Sequence, residues 1–559
     1  MIRCEFTARF FVWIRCLPLL IGLVFSGVGG CVDAQMADTV RQADSACANC
    51  HRAIYQSYLK TPMANASGPA SDVAIPATFY DASSGVTYHL SNGNDGVWLR
   101  YTRTAGFRLT GGYRLDYYLG SGHRGRSYLY SVNDYLFEAP LSYYAGKHGY
   151  DLRPGYAGAK EMPAALPLNQ KCLVCHMSGV KPADSGTVNR YTALPFLHGG
   201  ITCEACHGDT ALHVSKDGHG GLLRLGSLAP AQRDSLCLSC HLEAETSVPR
   251  KGRTLSDFRP GDSLTDIMTY FVHAGDAASS GRAVSEVEAL NESACKRASG
   301  DRMSCLSCHD PHANPSPAAR IAFYRAKCLA CHTQKKFITS HYTQTPDCTR
   351  CHMPKSSTQD IPHAQVTDHR ILRVQSRPGQ NPSGQDETLV PVPGVAEVVT
   401  SRDLGLAYYN LGLNGDGEAM QRAWKILPDV AASDADDLQV LAALGFMARA
   451  RGDGTLSARY LSAAYKLDPK DVYVANDLGV LLALSGNEKG AETLWQDLFA
   501  RNQDLVDLGN NLALLECRLG DRGAAESTLQ QVLVYSPDHQ ATRQMLAGIQ
   551  SGTRPCTIK

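Results

Sequence analysis

The sequence predicts a mainly α-helical protein built in two parts. Residues 35–375 read as short helices and loops gathered around seven Cys-x-x-Cys-His motifs, with a small antiparallel β insertion at about 76–156. Residues 397–550 read as an α-helical solenoid. Three observations carry this: the recurring cysteine motif, a tyrosine-rich stretch with period-two alternation, and a 34-residue period in the last third.

Composition sets the frame. At 559 residues the chain exceeds one ordinary domain. With 44% hydrophobic and 19% charged residues it is globular in character. Lys+Arg and Asp+Glu both number 54, so no net field favours a nucleic acid or an anionic surface, and no nucleic-acid partner is expected.

The first 34 residues read as a signal peptide. Arg3, Arg9 and Arg15 give a positive start, and "CLPLLIGLVFSGVGG" has the length of an apolar signal core. Val32-Asp33-Ala34 offers a cleavage site after Ala34. Val28-Gly29-Gly30-Cys31 offers a lipoprotein site instead, and an uncleaved anchor is the third reading. Each reading places the bulk of the chain outside the cytoplasm, in a periplasm or on the outer face of a membrane. A membrane partner is expected only if Cys31 is lipidated or the leader is retained.

Fourteen of the 20 cysteines fall in one pattern. The motifs are Cys47/Cys50/His51, Cys172/Cys175/His176, Cys203/Cys206/His207, Cys237/Cys240/His241, Cys305/Cys308/His309, Cys328/Cys331/His332 and Cys348/Cys351/His352. Every Cys-x-x-Cys is followed by His. Two thiols at this spacing add across the two vinyl groups of a haem, and the adjacent histidine binds the iron from below. Zinc ribbons need no histidine there, and a thioredoxin-like motif would occur once. The reading is seven covalently bound haems c with these seven histidines as proximal ligands. Of the remaining cysteines, Cys517 reads as a buried apolar residue, Cys556 lies in the tail, and Cys295 reads as a structural free thiol.

First-cysteine spacings of 125, 31, 34, 68, 23 and 20 leave little protein per cofactor, so the haems themselves are expected to form much of the core. The long gap holds 13 of the 25 tyrosines between Phe79 and Tyr156, in alternating runs such as "GVTYHL" and "SYLYSVNDYLFEAP". Asn133-Asp134 is a hairpin turn candidate, and the tyrosines read as packing rather than a redox relay. Residues 376–396, rich in Pro and Gly, read as a linker. Beyond it Leu444-Gly445, Leu478-Gly479 and Leu512-Ala513 recur every 34 residues, as do Gly452, Gly486 and Gly520. That is the tetratricopeptide period, a stack of helical hairpins suited to protein contacts. A stretch near Leu404-Gly405 reads as a degenerate first repeat.

What each haem does depends on its sixth ligand. His312, His213, His363, His369, His198, His123 and His273 are the candidate distal ligands, while His89 and His219 read as solvated. Met63 is an outside candidate for the first haem. His312 in "MSCLSCHDPH" is three residues past His309, too short a span to round the porphyrin edge. It is therefore expected to serve a different haem.

The residues "CEACHG", "SCLSCHDPH" and "CTRCHMPK" with the later "DHRI" resemble multihaem cytochromes related to the tetrahaem carrier of ammonia oxidisers (cytochrome c-554-like) and to the hydroxylamine oxidoreductase superfamily. The fuller resemblance is to exported members with tetratricopeptide tails. It implies stacked and perpendicular haem pairs, with distal histidines supplied by neighbouring segments. The related pentahaem nitrite reductases bind their catalytic haem through Cys-x-x-Cys-Lys, whereas all seven motifs here end in His.

The expectation is an exported electron-transfer cytochrome docked to a redox partner protein through its repeats, with a small-molecule donor or acceptor as a further partner. One alternative is an oxidoreductase acting on a small nitrogen or sulfur compound at one open haem; no catalytic residue is assigned. The other is an assembly adaptor with structural haems.

Overall fold

The structure is a computed structural model and describes residues 44–153, 156, 158–163, 165–274, 285–333, 346–355, 367–372, 388–395 and 398–553. The leader at 1–34, most of the linker and the candidate ligand His363 lie outside the described residues.

Helix α1 (Ser45–Tyr58) is followed by strands β1 (Ser67–Pro69), β2 (Ala77–Asp81), β3 (Val86–Gly93), β4 (Gly96–Arg103), β5 (Leu109–Leu119), β6 (Gly125–Val132), β7 (Tyr135–Glu138), β8 (Leu141–Tyr144), β9 (Gly149–Leu152) and β10 (Leu166–Pro167). They form one ten-stranded antiparallel sheet in the order β10-β7-β6-β5-β4-β3-β2, with β1 on β5 and β8 between β6 and β9. Asn133 and Asp134 both take positive φ (50° and 68°) while Val132 pairs with Tyr135, the two-residue hairpin expected there. Alternation sends Tyr88, Tyr101, Tyr113, Tyr128 and Tyr130 into one core, where Tyr113 stacks on Tyr130 at 4.1 Å. The β component is thus larger than the small insertion expected at about 76–156. Its outlying strands β1 and β10 are three and two residues long, too short to show alternation in sequence.

Short helices follow: α2 (Gln170–His176), α3 (Glu204–His207), α4 (Ala211–Ser215), α5 (Pro230–His241), α6 (Glu286–Glu292), α7 (Ala294–Ser299), α8 (Arg320–Leu329) and α9 (Cys348–His352). Between them lie a two-stranded ladder, β11 (Met177–Ser178) with β12 (His198–Gly199), and a three-stranded sheet. That sheet joins β13 (Thr246–Pro249), β14 (Met268–His273) and β15 (Leu389–Pro391). Strand β15 corrects the linker expected at 376–396: Leu389 is buried and Val392 fully so. In "TLVPVPG" the prolines read as linker punctuation, but an edge strand tolerates them.

The solenoid contains the hairpins α10 (Ser401–Leu413)/α11 (Gly417–Ser433), α12 (Leu438–Ala450)/α13 (Gly454–Leu467), α14 (Val472–Leu484)/α15 (Glu488–Arg501) and α16 (Val506–Arg518)/α17 (Arg522–Tyr535), then α18 (Gln540–Ser551). The region near Leu404 is a complete hairpin. Its second helix has 17 residues and an internal Pro428, against 14 in the later hairpins, which hides the period. Gly445 and Gly479 mark the hairpin crossings: a Cβ there would lie 2.5 Å from Leu461 Cδ2 and 2.2 Å from Trp495 Nε1. Asp437, Asp453, Asp471 and Asp521 each accept a main-chain N–H at a helix start. Cys517 is buried as expected and takes part in a disulfide.

One edge of the solenoid, made of the turns between repeats, is docked on the rest of the chain. Asp434 pairs with Lys251 (2.5 Å), Lys470 donates to Ser185 (3.1 Å), and Asn502 donates to Gly186 O (3.0 Å) while accepting from Val188 N (3.2 Å). Asp538 takes both Arg103 nitrogens (2.8 and 2.5 Å) and Met162 N (2.7 Å). Tyr535 is built into the core of the ten-stranded sheet. These turns recur every 34 residues, so the repeat period also spaces the contacts.

Candidate haem-binding site

The seven motifs all sit on helical turns. In a helix residues three apart share a face, so both thiols of a Cys-x-x-Cys point the same way and the next residue turns toward the ring plane. Asn169 and Asp347 fix two of these turns by accepting from Lys171 N and Thr349 N. In α1 the helix breaks at His51 itself (φ −111°, ψ 37°).

Motifs one to five converge on a single connected cavity of about 3090 Å³. A pocket for one small ligand is roughly 300–1,000 Å³, so this space has room for several large groups. His51, His176, His207, His241 and His309 all line it. The motifs also touch one another. Cys47 and Cys203 lie with Asp44 inside a 4.8 Å cluster. Cys175 lies beside Cys240, Cys237 beside Cys305, and Cys328 beside Cys348. Cys206 lies near Cys240, and Cys308 near Cys331. The motifs are thus neighbours in the order one-three-four-five-six-seven, with motif two beside motif four.

Motifs six and seven lie apart from this cavity. Cys331, His332 and Cys351 are exposed, as are Cys50, His51, Cys240, His241 and His309 of the other motifs, but none of the first three lines the cavity. Cys328, Cys348 and His352 are only partly buried and lie off the lining too. The spacings here are short, 23 and 20 residues, and helices α8 and α9 have no buried residue of their own. The sequence motif shows that these residues have the right chemistry, but it carries no information on their burial.

Several histidines are oriented as metal ligands are. Nδ1 bonds a main-chain carbonyl in His176 (Ala66 O, 3.3 Å), His352 (Leu372 O, 2.6 Å), His369 (Thr367 O, 2.7 Å) and His213 (Gly220 O, 3.1 Å). That bond holds the ring and leaves Nε2 for a metal. Two ring pairs face each other: His207 and His312, with centres 6.0 Å apart and planes 8° from parallel, and His309 and His369, at 6.3 Å and 30°. Two nitrogens each about 2.0–2.1 Å from a shared metal, plus roughly 1 Å to each ring centre, put the centres about 6 Å apart. Burial, and then the facing His312, lowers the pKa of His207; burial, and then His369, lowers that of His309. Both act toward the neutral imidazole that binds metal.

His198, His213, His312 and His369 line the cavity, as does Met63. His123 does not: it is exposed in the loop between β5 and β6. His273 ends β14, also away from the lining, with Nδ1 buried and without a hydrogen bond. His89 is exposed on β3 and paired with Thr78 (3.0 Å). Cys295 is partly buried near Cys331, and burial raises its pKa. Sequence reasoning missed Tyr324, whose hydroxyl lies 3.5 Å from His309 Nδ1, and the arginines Arg124, Arg126 and Arg153 on the cavity wall.

Two family models match parts of the chain: cytochrome c554 and c-prime over residues 155–208, and the doubled CXXCH motif over residues 298–337. Among solved structures the chain is similar to MamA (17% identity, 28% of this chain and 86% of that one, TM-score 0.25). It is similar also to TTC0263, a thermophilic TPR protein in Thermus thermophilus (19%, 26% and 78%, 0.22), and to Pseudomonas aeruginosa pilF (17%, 28% and 73%, 0.25). No curated protein matches the chain. The chain thus carries multihaem c-type cytochrome domains that bind haem c covalently. Its cavity, paired thiols and carbonyl-held imidazoles fit that group.

Proposed function

We propose that this protein is an exported seven-haem electron carrier. The observation that carries the reading is the pair of facing imidazoles, His207/His312 and His309/His369, at the spacing of two ligands on one iron. In this reading His312 completes the coordination of the third haem, and His369 that of the fifth. An iron with two protein ligands has no free position, so it passes electrons and binds no substrate. The succession of neighbouring motifs would supply a continuous route for electrons, and the cofactors take the place of the apolar core that helices α3, α4, α8 and α9 lack. The sixth and seventh motifs, which lie off the cavity lining, are the end of that route that a partner would reach.

A redox partner protein is proposed to dock on the solenoid away from its inter-repeat turns, since those turns are spent on contacts within the chain. The Cys517 disulfide accords with an oxidising compartment. Among the described residues no helix is long and apolar enough to cross a membrane.

One observation favours the alternative of an oxidoreductase with an open haem. Five proximal histidines line the cavity, but among the described residues only four candidate distal histidines do. Electron paramagnetic resonance of the oxidised protein, with intact mass, tests both readings. Seven haem masses and wholly low-spin signals support the carrier; a high-spin signal that responds to nitrite or sulfite supports the oxidoreductase. His312→Ala should keep the haem count and turn one low-spin iron high-spin. An unchanged low-spin population would remove His312 as a ligand.

A further inference from the structure

The ten-stranded sheet turns three arginines toward the cavity. Arg124 precedes β6, Arg126 lies at its start, and Arg153 follows β9; all three line the same space as Cys172, Cys175 and His176. On each, one guanidinium nitrogen is buried without an acceptor: Arg124 Nη2, Arg126 Nε and Arg153 Nη1. An arginine cannot shed its proton to escape that cost. Buried N–H groups of fixed charge, with no acceptor, imply an anion among them.

The remaining contacts do not supply it. Arg126 Nη2 donates to Ser121 O (3.2 Å), and its guanidinium lies over Tyr118 (5.7 Å) and Tyr143 (6.0 Å). Arg153 pairs with Glu138 and lies over Tyr156 (6.0 Å). Glu138 is one carboxylate against three guanidinium groups, and its Oε1 is 3.7 Å from Cys172 Sγ.

The loop is built to aim these groups. Gly120 and Gly122 take positive φ (97° and 83°), and a Cβ on Gly122 would lie 2.4 Å from the Arg126 guanidinium. The loop is also tied to the second motif. Gly120 N–H donates to Ala66 O (2.7 Å), and that same carbonyl holds His176 Nδ1 (3.3 Å).

We propose that Arg124, Arg126 and Arg153 form a receptor for a planar carboxylate or small oxyanion beside the second haem site. The planar fork of arginine suits such groups. The anion comes either from the propionates of the haem held by Cys172, Cys175 and His176 or from a dissolved oxyanion. The proposal rests on the reading that this motif carries haem.

The test uses the full-length haem-loaded protein, with Arg124→Gln and Arg126→Gln singly and together. Reduction potentials are followed spectroscopically with sodium sulfate and, at matched ionic strength, with sodium chloride. Removing positive charge beside a haem disfavours its reduction, so one component of the titration should move to lower potential in the double variant. A shift equal in both salts identifies the propionates. A wild-type response to sulfate that the double variant loses identifies a dissolved oxyanion. Lysine at both positions should retain part of the wild-type potential, which keeps the test valid if the glutamine variants fold poorly. Double-variant potentials superimposed on wild type, with no sulfate response, would overturn the receptor. The mass of the proteolytic peptide containing Cys172 and Cys175 tests the premise separately: a peptide without haem removes the second haem site itself.

Discussion

The motif helices and the solenoid helices share backbone geometry but are stabilised in opposite ways. Motif helices α3, α8 and α9 have 4, 10 and 5 residues and bury none of them, as does the neighbouring α4 with 5, while α1, α2 and α5 bury only Tyr58, Leu173, and Ser235 with Ser239. Helices α12 to α17 have 13 or 14 residues each, and each packs a buried face on its neighbours. Isolated helices shorter than about 12–15 residues are marginal in water, so the first group depends on something other than its own packing. Covalently attached cofactors are that something in the reading proposed here. The ten-stranded sheet falls with the solenoid, because it has its own tyrosine core and receives Tyr535 into it.

The largest expected effect breaks the comparison at its root. Protein made without haem attachment should lose structure across residues 203–241 and 285–355, while the ten-stranded sheet, strands β13 and β14 (which share a core with the first hairpin) and the solenoid persist. Limited proteolysis read by mass spectrometry checks this: a surviving fragment including 398–553 is expected. Resistance spread evenly along the chain would show that the motif helices need no cofactor.

Next in size is the joint between the sheet and the solenoid. Asp538 is 1% exposed and held by Arg103, Arg543 and Met162 N. Asp538→Ala leaves two arginines without their partner, and breaking a buried ion pair in this way costs about 3–5 kcal/mol. Chemical denaturation should show the loss, with haem spectra unchanged because Asp538 does not line the cavity.

A pH-dependent effect sharpens the same boundary. Burial pushes Asp504, in the turn between α15 and α16, up to about 6, against its own main-chain N–H and the Asn189 side chain, which act the other way. A carboxyl raised above its unfolded value stabilises the fold only while protonated. Its contribution is complete below pH 4 and is lost as pH rises through 6, worth up to about 3 kcal/mol at 1.36 kcal/mol per unit. Asp504→Asn should therefore be more stable than wild type at pH 8 and should flatten stability between pH 4 and 7. Denaturant midpoints across that range measure it.

Smallest is a packing change inside the solenoid alone. Gly445→Ala places a methyl against Leu461, where a Cβ meets Cδ2 at 2.5 Å, and overpacking of this kind costs about 1–3 kcal/mol. The thermal transition of the repeats should fall while the haem potentials stay where they were.

What sequence alone determined is local. Covalent attachment needs two thiols one helical turn apart and a histidine beside them, a condition met inside five residues and legible seven times. The repeat period is equally local, since each hairpin packs on the next. The His312 argument also stood on local reach, because three residues cannot round a porphyrin. Which haem His312 would serve was beyond sequence, for His207 is its neighbour only after the chain between them folds. The same holds for His123, which is next to Arg124 in the chain yet does not line the cavity that the arginine lines. It holds also for His332 and Cys351, whose motifs read like the other five but lie off the cavity that those line. Strand β15 hid among prolines because its partner β14 lies more than a hundred residues earlier. Tertiary structure decided these placements for one physical reason: a metal ligand pair, a buried site, an edge strand and an ion pair are each defined by a partner that chain proximity does not supply.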